Sequence, residues 1–438
     1  MRRDLGVSTT IIRHGRVIDP ANKRDEIADL LIVEGRIAAQ SGIREQFTRR
    51  GRPEIEEIDA KGLIVAPGLI DMHVHLREPG FSHKETIESG ARAAAAGGFT
   101  TVVCMPNTSP ASDNPSTIAW IKDRAAEVAC VNVLPAGAIS KDLAGEELAS
   151  IGSLAKAGVV AITDDGHCIQ NHEVMRRAVE YARMVDLPVL DHCQDYNLVG
   201  NGVIHEGYWS TLLGLPGWPA AGEETMVMRN ILLAELCDHP IHCQHLTAAG
   251  SVRLLREARK RGVKISGEVC PHHIALTDEA IQNFDTNYKM NPPLRSQTDV
   301  EALLEGISDG TVSILCSDHA PHADFEKEVE FDVAPFGIIG LETELGLFID
   351  LLVHKHASID IGRLIEMYTI EPARLLKLDA GTLSPGTRAD VTLIDPGLKW
   401  TVNIDRFQSA SRNSPFDDWK LKGRAVRTIV GGKTVWKL

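Results

Sequence analysis

Between residues 63 and 320 the sequence repeats one device, a short apolar run of strand-like composition that closes on polar, glycine or proline residues. The runs are 63–75 (LIVAPGLIDMHVH), 100–107 (TTVVCMPN), 131–139 (VNVLPAGAI), 158–166 (GVVAITDDG), 187–195 (LPVLDHCQD), 240–247 (PIHCQHLT), 263–273 (VKISGEVCPHH) and 311–322 (TVSILCSDHAPH). Most of the intervening segments carry a helical pattern, as in KETIESGARAAAAGG, HEVMRRAVEYARMVD and AAGSVRLLREARKRG. Continuous apolar runs that alternate with helices predict a parallel sheet covered on both faces. Eight such units over roughly 250 residues fit an α/β fold of the (β/α)8 TIM-barrel type. An open doubly wound sheet has the same local signature, and the count favours the barrel.

The two ends of the chain read differently. Residues 9–60 and about 380–438 hold short strand candidates with tight turns, among them TIIRHGRVIDP, ADLLIVEGRIAA, ADVTLIDPG and AVRTIVGGKTVWKL. They predict one small antiparallel β domain, formed by residues 1–66 and 380–438, with the barrel of residues 67–379 inserted between its halves.

Composition narrows the function. With 438 residues, 43% of them apolar and 24% charged, the chain is neither disordered nor fibrous. Sixty acidic against 46 basic residues leave a net charge of −14, which repels polyphosphate backbones and argues against nucleic acid as a partner. No segment approaches the roughly 18 uninterrupted apolar residues of a membrane span. The N-terminal MRRDLGVSTTIIRHGR lacks the apolar core of a secretion signal, so a cytoplasmic location and no membrane partner are expected. Eight cysteines are too dilute for a disulfide scaffold, and Cys104, Cys193, Cys243, Cys270 and Cys316 sit in apolar runs as small hydrophobes. The 17 histidines instead cluster, as His73/His75, His242/His245, His272/His273 and His319/His322.

One residue separates His73 from His75, so on a strand both imidazoles project to one face, where two such rings can chelate a metal. Position strengthens the signal. Asp165, His192, His245 and Asp318 close other runs, and in an eightfold barrel all these ends form a single mouth. Four imidazoles and two carboxylates suit zinc and exceed the four ligands of a closed site, so two ions with a bridging group and an open water position fit. Each residue also has a plainer reading: a strand-end carboxylate can cap the next helix, and a strand histidine can be a satisfied core group. Of Asp164 and Asp165, one can cap while the other ligates.

Assembled in this way, the residues resemble the amidohydrolase superfamily, and more closely the class I dihydroorotases, over nearly the whole chain. Seven segments carry the likeness in order: PGLIDMHVHLREPG, TTVVCMPNTSP, ITDDG, DHCQD, KMNPPLR, SDHAPH and APFGIIGLET. The resemblance implies that His73, His75 and Asp318 hold one zinc, that His192 and His245 hold a second, and that Asp165 bridges them. Hydantoinases and allantoinases bridge with a carbamylated lysine on the fourth strand. Here 158–166 contains none, and Lys156 lies nine residues before Asp165.

The resemblance also implies a substrate pocket. Arg77 and Asn107 would clamp a ring carboxylate, with His75, Asn291, His322 and the backbone at Phe336–Gly337 completing the site. Asp318 would be catalytic, taking a proton from the attacking water and returning it to the departing ring nitrogen. The implied reaction is the reversible cyclisation of N-carbamoyl-L-aspartate to dihydroorotate in pyrimidine biosynthesis. A homo-oligomer is expected, and so is a complex with aspartate carbamoyltransferase, since some class I enzymes are active mainly when docked on it. Relatives that have lost their ligands serve only as scaffolds for that transcarbamoylase, whereas every ligand position is filled here. His272 and His273 are expected to pack or to support the site, and His242 to point away from the face of His245. The charged segment 324–333 reads equally as a mobile lid and as a solvated loop.

Overall fold

The computed structural model of this protein describes residues 9–38 and 55–438. The reading of the first eight residues, and of 39–54 within the small domain, lies outside the described residues. Every one of the eight apolar runs enters a single closed ring. Leu69–Val74, Phe99–Cys104 and Asn132–Pro135 pair in parallel in that order. Val189–Asp191, Ile241–Cys243, Ile265–Val269 and Ile314–Leu315 form a second parallel arc. Ile162, from the fourth run, joins the arcs by bridging Gly137 on one side and Val189 on the other, and a parallel bridge from Val74 to His319 closes the circle. Closure decides between the barrel and the open sheet.

Helices Ile87–Gly97, Pro115–Val128, Ile151–Ala157, His172–Met184, Ala221–Cys237, Ala249–Lys260, Gln297–Ser308 and Ile361–Tyr368 follow the strands in turn. Their starts are local sequence events: the side chains of Thr86, Asn114, Asn171, Ser296 and Asp360 accept from the first-turn amides. His172–Met184 buries Met175, Ala178, Val179 and Ala182, a stripe at helical spacing that faces the barrel wall. Inside the ring, Met72, Val103, Ala136, Ala161, Leu190 and Ile314 meet from six runs and pack with Leu376. The lumen is therefore a packed core that leaves only one end for chemistry. All eight cysteines are free thiols, and no helix among the described residues is long and apolar enough to cross a membrane.

The chain ends share one eight-stranded sheet, as the sequence suggests, but the sheet is mixed rather than antiparallel. Thr9–Asp19 pairs in parallel with both Ile55–Asp59 and Ile64–Pro67, and antiparallel with Arg24–Val33. The two parallel partners run one after the other along the same edge of Thr9–Asp19, so they share its direction. The antiparallel pairing with Arg24–Val33 shifts register between Ile12 and Gly15, and a Cβ on Gly15 would lie 2.4 Å from Val65 Cγ2. Val391–Thr401 joins Ile64–Pro67 from the other side, and Lys420–Val430, Lys433–Lys437 and, beyond Arg24–Val33, Arg36–Ile37 complete the sheet.

One buried carboxylate ties the two ends together. Asp19 Oδ2 accepts from the Leu383 amide at 2.8 Å, from Asn22 Nδ2 at 2.6 Å and from Thr382 Oγ1 at 3.3 Å. Asp19→Ala removes the acceptor of the Leu383 amide, while Asn22 and Thr382 keep contacts with each other and with Ser384, and we expect a loss of about 2 kcal/mol in chemical denaturation with the metal content of the barrel unchanged.

Candidate metal centre and active site

The six candidate ligands stand at the ends of five different runs, and ring closure brings them together. Asp165 occupies the middle. Its Oδ1 lies 3.2 Å from His73 Nε2, 3.7 Å from His192 Nδ1 and 3.6 Å from His245 Nε2, while its Oδ2 lies 3.3 Å from His75 Nε2. Asp318 Oδ1 is 3.1 Å from His75 Nε2 and 3.5 Å from His73 Nε2. Two groups of potential ligands result, His73–His75–Asp165 and Asp165–His192–His245, with the aspartate common to both.

The donor set itself tests the fit to a cation. Among the described residues His73 Nε2 and Asp165 Oδ1 are buried and have no hydrogen-bond partner, yet both lie within this cluster. Buried polar atoms left in that way are rare unless something else satisfies them. The charges agree. Burial raises the pKa of Asp165, but His73 and the neighbouring rings outweigh it and hold the carboxyl well below its usual range. Asp318 is lowered by the same contest of burial against His73 and His75. Burial likewise opposes protonation of His73, and Asp165, Asp318 and Glu268 overcome it, pushing that group upward. Ionised carboxylates packed against imidazoles in a dry site form a cation-binding arrangement.

Neighbouring side chains aim the rings. His73 Nδ1 lies 2.6 Å from Glu268 Oε1, His75 Nδ1 lies 2.9 Å from Asn107 Oδ1, and His192 Nε2 lies 3.0 Å from Gln194 Oε1. In each pair the ring N–H donates to the oxygen, which leaves the opposite nitrogen free to ligate. Asp71 holds the first and last runs in register: it accepts from the His73 amide at 3.0 Å and from both the amide and hydroxyl of Ser317. Asp164 does not cap the helix that follows its strand, which Asn171 caps; it accepts from the Ile139 and Ser140 amides at 2.7 and 3.0 Å and so ties the fourth run to the end of the third. Arg77, His245 and Asp318 all adopt positive φ (59°, 32° and 47°), a backbone region that non-glycine residues occupy at a cost where function needs it.

A cavity of about 340 Å³ opens above the cluster. It is lined by His75, Asp165, His192, His245 and Asp318 together with Arg77, Asn107, Asn291, His322, Phe336 and Gly337. Every candidate site residue read from the sequence therefore faces it except His73, which is fully buried below. Burial lowers the Arg77 pKa to about 10, so its guanidinium stays charged. His322 is held neutral, pushed down to about 2 by burial and by Arg77 and Lys84. Asn291 Oδ1 is buried without a hydrogen-bond partner among the described residues, and Asn107 has its oxygen on His75 and only its amide nitrogen to offer.

Other residues take supporting places. His242 does not line the cavity, and it shares Glu268 with His73 at 3.1 Å. His273 donates to the Pro292 carbonyl at 3.0 Å, which supports the segment carrying Asn291. The segment 324–333 is a pinned structure. Lys327 is buried and donates to the carbonyls of Pro335 and Gly337 at 2.8 and 3.0 Å, and Lys289 donates to the Asp332 carbonyl at 2.9 Å. Glu268, Gln194, Lys289 and Lys327 went unrecognised as site residues, although Glu268 and Gln194 lie inside segments singled out for other members.

Comparison with known proteins follows the same line. A family model described as dihydro-orotase-like matches residues 62–250. The dihydroorotase of Syntrophotalea carbinolica is 50% identical over 428 residues, covering 98% of this chain and 99% of that protein. The chain belongs to the dihydroorotase family. A second member, the dihydroorotase of Pelotomaculum thermopropionicum, is 51% identical over 97% of this chain and 98% of its own length. Among solved structures, the L-hydantoinase (dihydropyrimidinase) of Arthrobacter aurescens superposes with a TM-score of 0.86 at 23% identity, over 98% of this chain and 96% of that one. The dihydropyrimidinase of Brevibacillus agri gives 0.84 at 24%, over 98% and 95%. These likenesses extend the barrel-plus-sheet fold of the dihydroorotase family to distant relatives. Among the described residues no lysine lines this cavity, and Asp165 is common to the two groups of candidate ligands.

Glu268→Gln keeps the shape of the carboxylate but removes its charge from His73. We expect metal affinity, measured by competition with a chelator, to fall about 10- to 100-fold.

Proposed function

We propose that this protein is a dihydroorotase that hydrolyses (S)-dihydroorotate to N-carbamoyl-L-aspartate and, in the biosynthetic direction, closes the ring for pyrimidine synthesis. One observation carries the reading: the charged guanidinium of Arg77 and the carboxylate–imidazole cluster face the same small cavity. A substrate for such a site is a compact ring bearing an anion on one side and a hydrolysable amide on the other. Full-length identity of about half to dihydroorotases supports the same choice.

The four imidazoles and two carboxylates suit zinc, as one or two ions with Asp165 between them. Bound there, zinc supplies Lewis-acid polarisation of the ring amide and an attacking water of lowered pKa. The remaining work falls to the chain. Arg77 and the Asn107 amide nitrogen clamp the ring carboxylate, and His322 and the Phe336–Gly337 backbone form the wall beside Arg77. Asn291 turns its free oxygen toward the ring. Asp318, ionised at neutral pH, accepts the proton released as water adds to the amide carbonyl carbon. The ring C–N bond then breaks and Asp318 returns that proton to the departing nitrogen. In the reverse direction the same groups act in the opposite order.

The reading assigns residues 67–379 to catalysis and the paired ends, 1–66 and 380–438, to its supporting β domain. It extends to a cytoplasmic homo-oligomer that docks on aspartate carbamoyltransferase, as some enzymes of this class do. Light scattering, and the activity measured with and without that transcarbamoylase, test these extensions.

The central test is turnover of dihydroorotate by the purified, zinc-supplemented protein, followed by loss of the ring's ultraviolet absorbance. Asp318→Asn is expected to lower kcat by about 10²- to 10⁴-fold with fold and metal content retained. Near-normal turnover in that variant overturns its role. Arg77→Ala is expected to raise KM for dihydroorotate by about 10- to 100-fold while bound metal stays constant. Loss of metal instead would make Arg77 a structural residue.

A further inference from the structure

The wall of the cavity that carries His322, Phe336 and Gly337 is irregular backbone, and irregular backbone needs donors from elsewhere. Proline removes some of the local ones, since Pro321 precedes His322 and Pro335 precedes Phe336. The two halves of this wall also touch closely. Gly337 adopts φ +110°, and a Cβ on it would fall 2.6 Å from Ala320 Cβ.

A side chain from far along the sequence bridges this contact. Asn413 is buried, and its Nδ2 donates to the carbonyls of Ala320 and Gly337, each at 3.1 Å. Its Oδ1 accepts from the His322 amide at 3.1 Å, and its own carbonyl accepts from the Ile339 amide at 3.0 Å. One residue thus binds the backbone on both sides of the seam. His322 in turn sits 2.9 Å from the Phe336 carbonyl through Nε2, and its ring lies 3.5 Å from Arg77.

The segment that presents Asn413 is itself anchored on the same wall. Glu85 lies 3.2 Å from His319 Nε2 and accepts from the Ala410 amide at 3.1 Å, and Ser411 donates its hydroxyl to the Lys84 carbonyl at 2.7 Å. Asn413 does not line the cavity, so it acts through the residues that do.

We propose that Asn413 is a positioning residue for substrate recognition, setting the separation of His322 and Gly337 and with it the width of the pocket for the ring and its carboxylate. The proposal rests on the dihydroorotase reading for the identity of the substrate. It assigns to the C-terminal part of the chain a share in specificity, while the proton transfer at Asp318 is left untouched.

The test compares the full-length, metal-loaded protein with Asn413→Ala and Asn413→Asp. The aspartate is isosteric and keeps the acceptor for the His322 amide, but sets an oxygen against the two carbonyls, so it reports on the bridge even if the alanine variant folds poorly. The expected result in either variant is a rise of about tenfold or more in KM for dihydroorotate, with kcat changed less than about threefold. Metal content is expected to hold, and amide hydrogen exchange over 320–322 and 335–339 to quicken. Unchanged KM with unchanged exchange overturns the proposal, as does a parallel loss of kcat and metal, which would mark a general structural role. Failure of the unsubstituted protein to turn over dihydroorotate would count against the dihydroorotase reading, whereas exchange in the variants would still decide whether Asn413 holds the wall.

Discussion

A carboxylate buried among four imidazoles governs the rest of this structure. Asp165 has three ring nitrogens within 3.7 Å of one oxygen and a fourth 3.3 Å from the other. Such a group is tolerable in a dry interior only if its charge is matched and its neighbours cannot drift. The match comes from residues on separate runs, so the barrel must close for the site to exist. Asp71 and Glu268 serve this end directly, because each joins side chains or backbone from different parts of the ring.

The outward side of the cluster follows from the inward one. With the lumen filled by Met72, Val103, Leu190, Ile314 and their neighbours, the ligands have no room below and project into the mouth. There Arg77 remains charged despite burial because Asp318 and Asp165 lie near enough to offset part of its desolvation. The same geometry keeps His322 neutral beside Arg77 and Lys84, so the wall presents one dominant positive group to an incoming anion. The guanidinium and the carboxylate–imidazole cluster are thereby separated by only the width of the cavity.

The sheet built from the chain ends is part of this arrangement. Its strands contact the barrel where Thr392 and Thr428 donate to the carbonyls of Gly98 and Ala95, at the end of the helix that follows the first barrel strand. Further along, the segment containing Ser409, Ser411 and Asn413 crosses to the mouth and supplies hydrogen bonds that the loops there cannot make for themselves. The sheet of the chain ends thus packs on the barrel, and the segment between its last strands hydrogen-bonds the backbone beside the cavity.

Much of this was legible in the sequence, for a physical reason: periodicity and ligand chemistry are local properties. Eight apolar runs declared the strands, the His-x-His pair offered a chelating face, and strand-end acids and histidines supplied the remaining candidate ligands. Direction in the terminal sheet was not legible, since whether a strand returns parallel or antiparallel depends on the path of the connection. Nor were the partners of the ligands, because Glu268 and Gln194 gain meaning only when a ring nitrogen stands opposite. Asn413 lies 91 residues from the amide of His322 that it binds, and no spacing rule spans such a distance. Residue types and their order were sufficient to point to the strands, the candidate ligands and the class of chemistry. Only tertiary structure could decide which ligands share Asp165, which side chains orient them and which distant segment holds the wall, because those depend on distances created by closing the barrel.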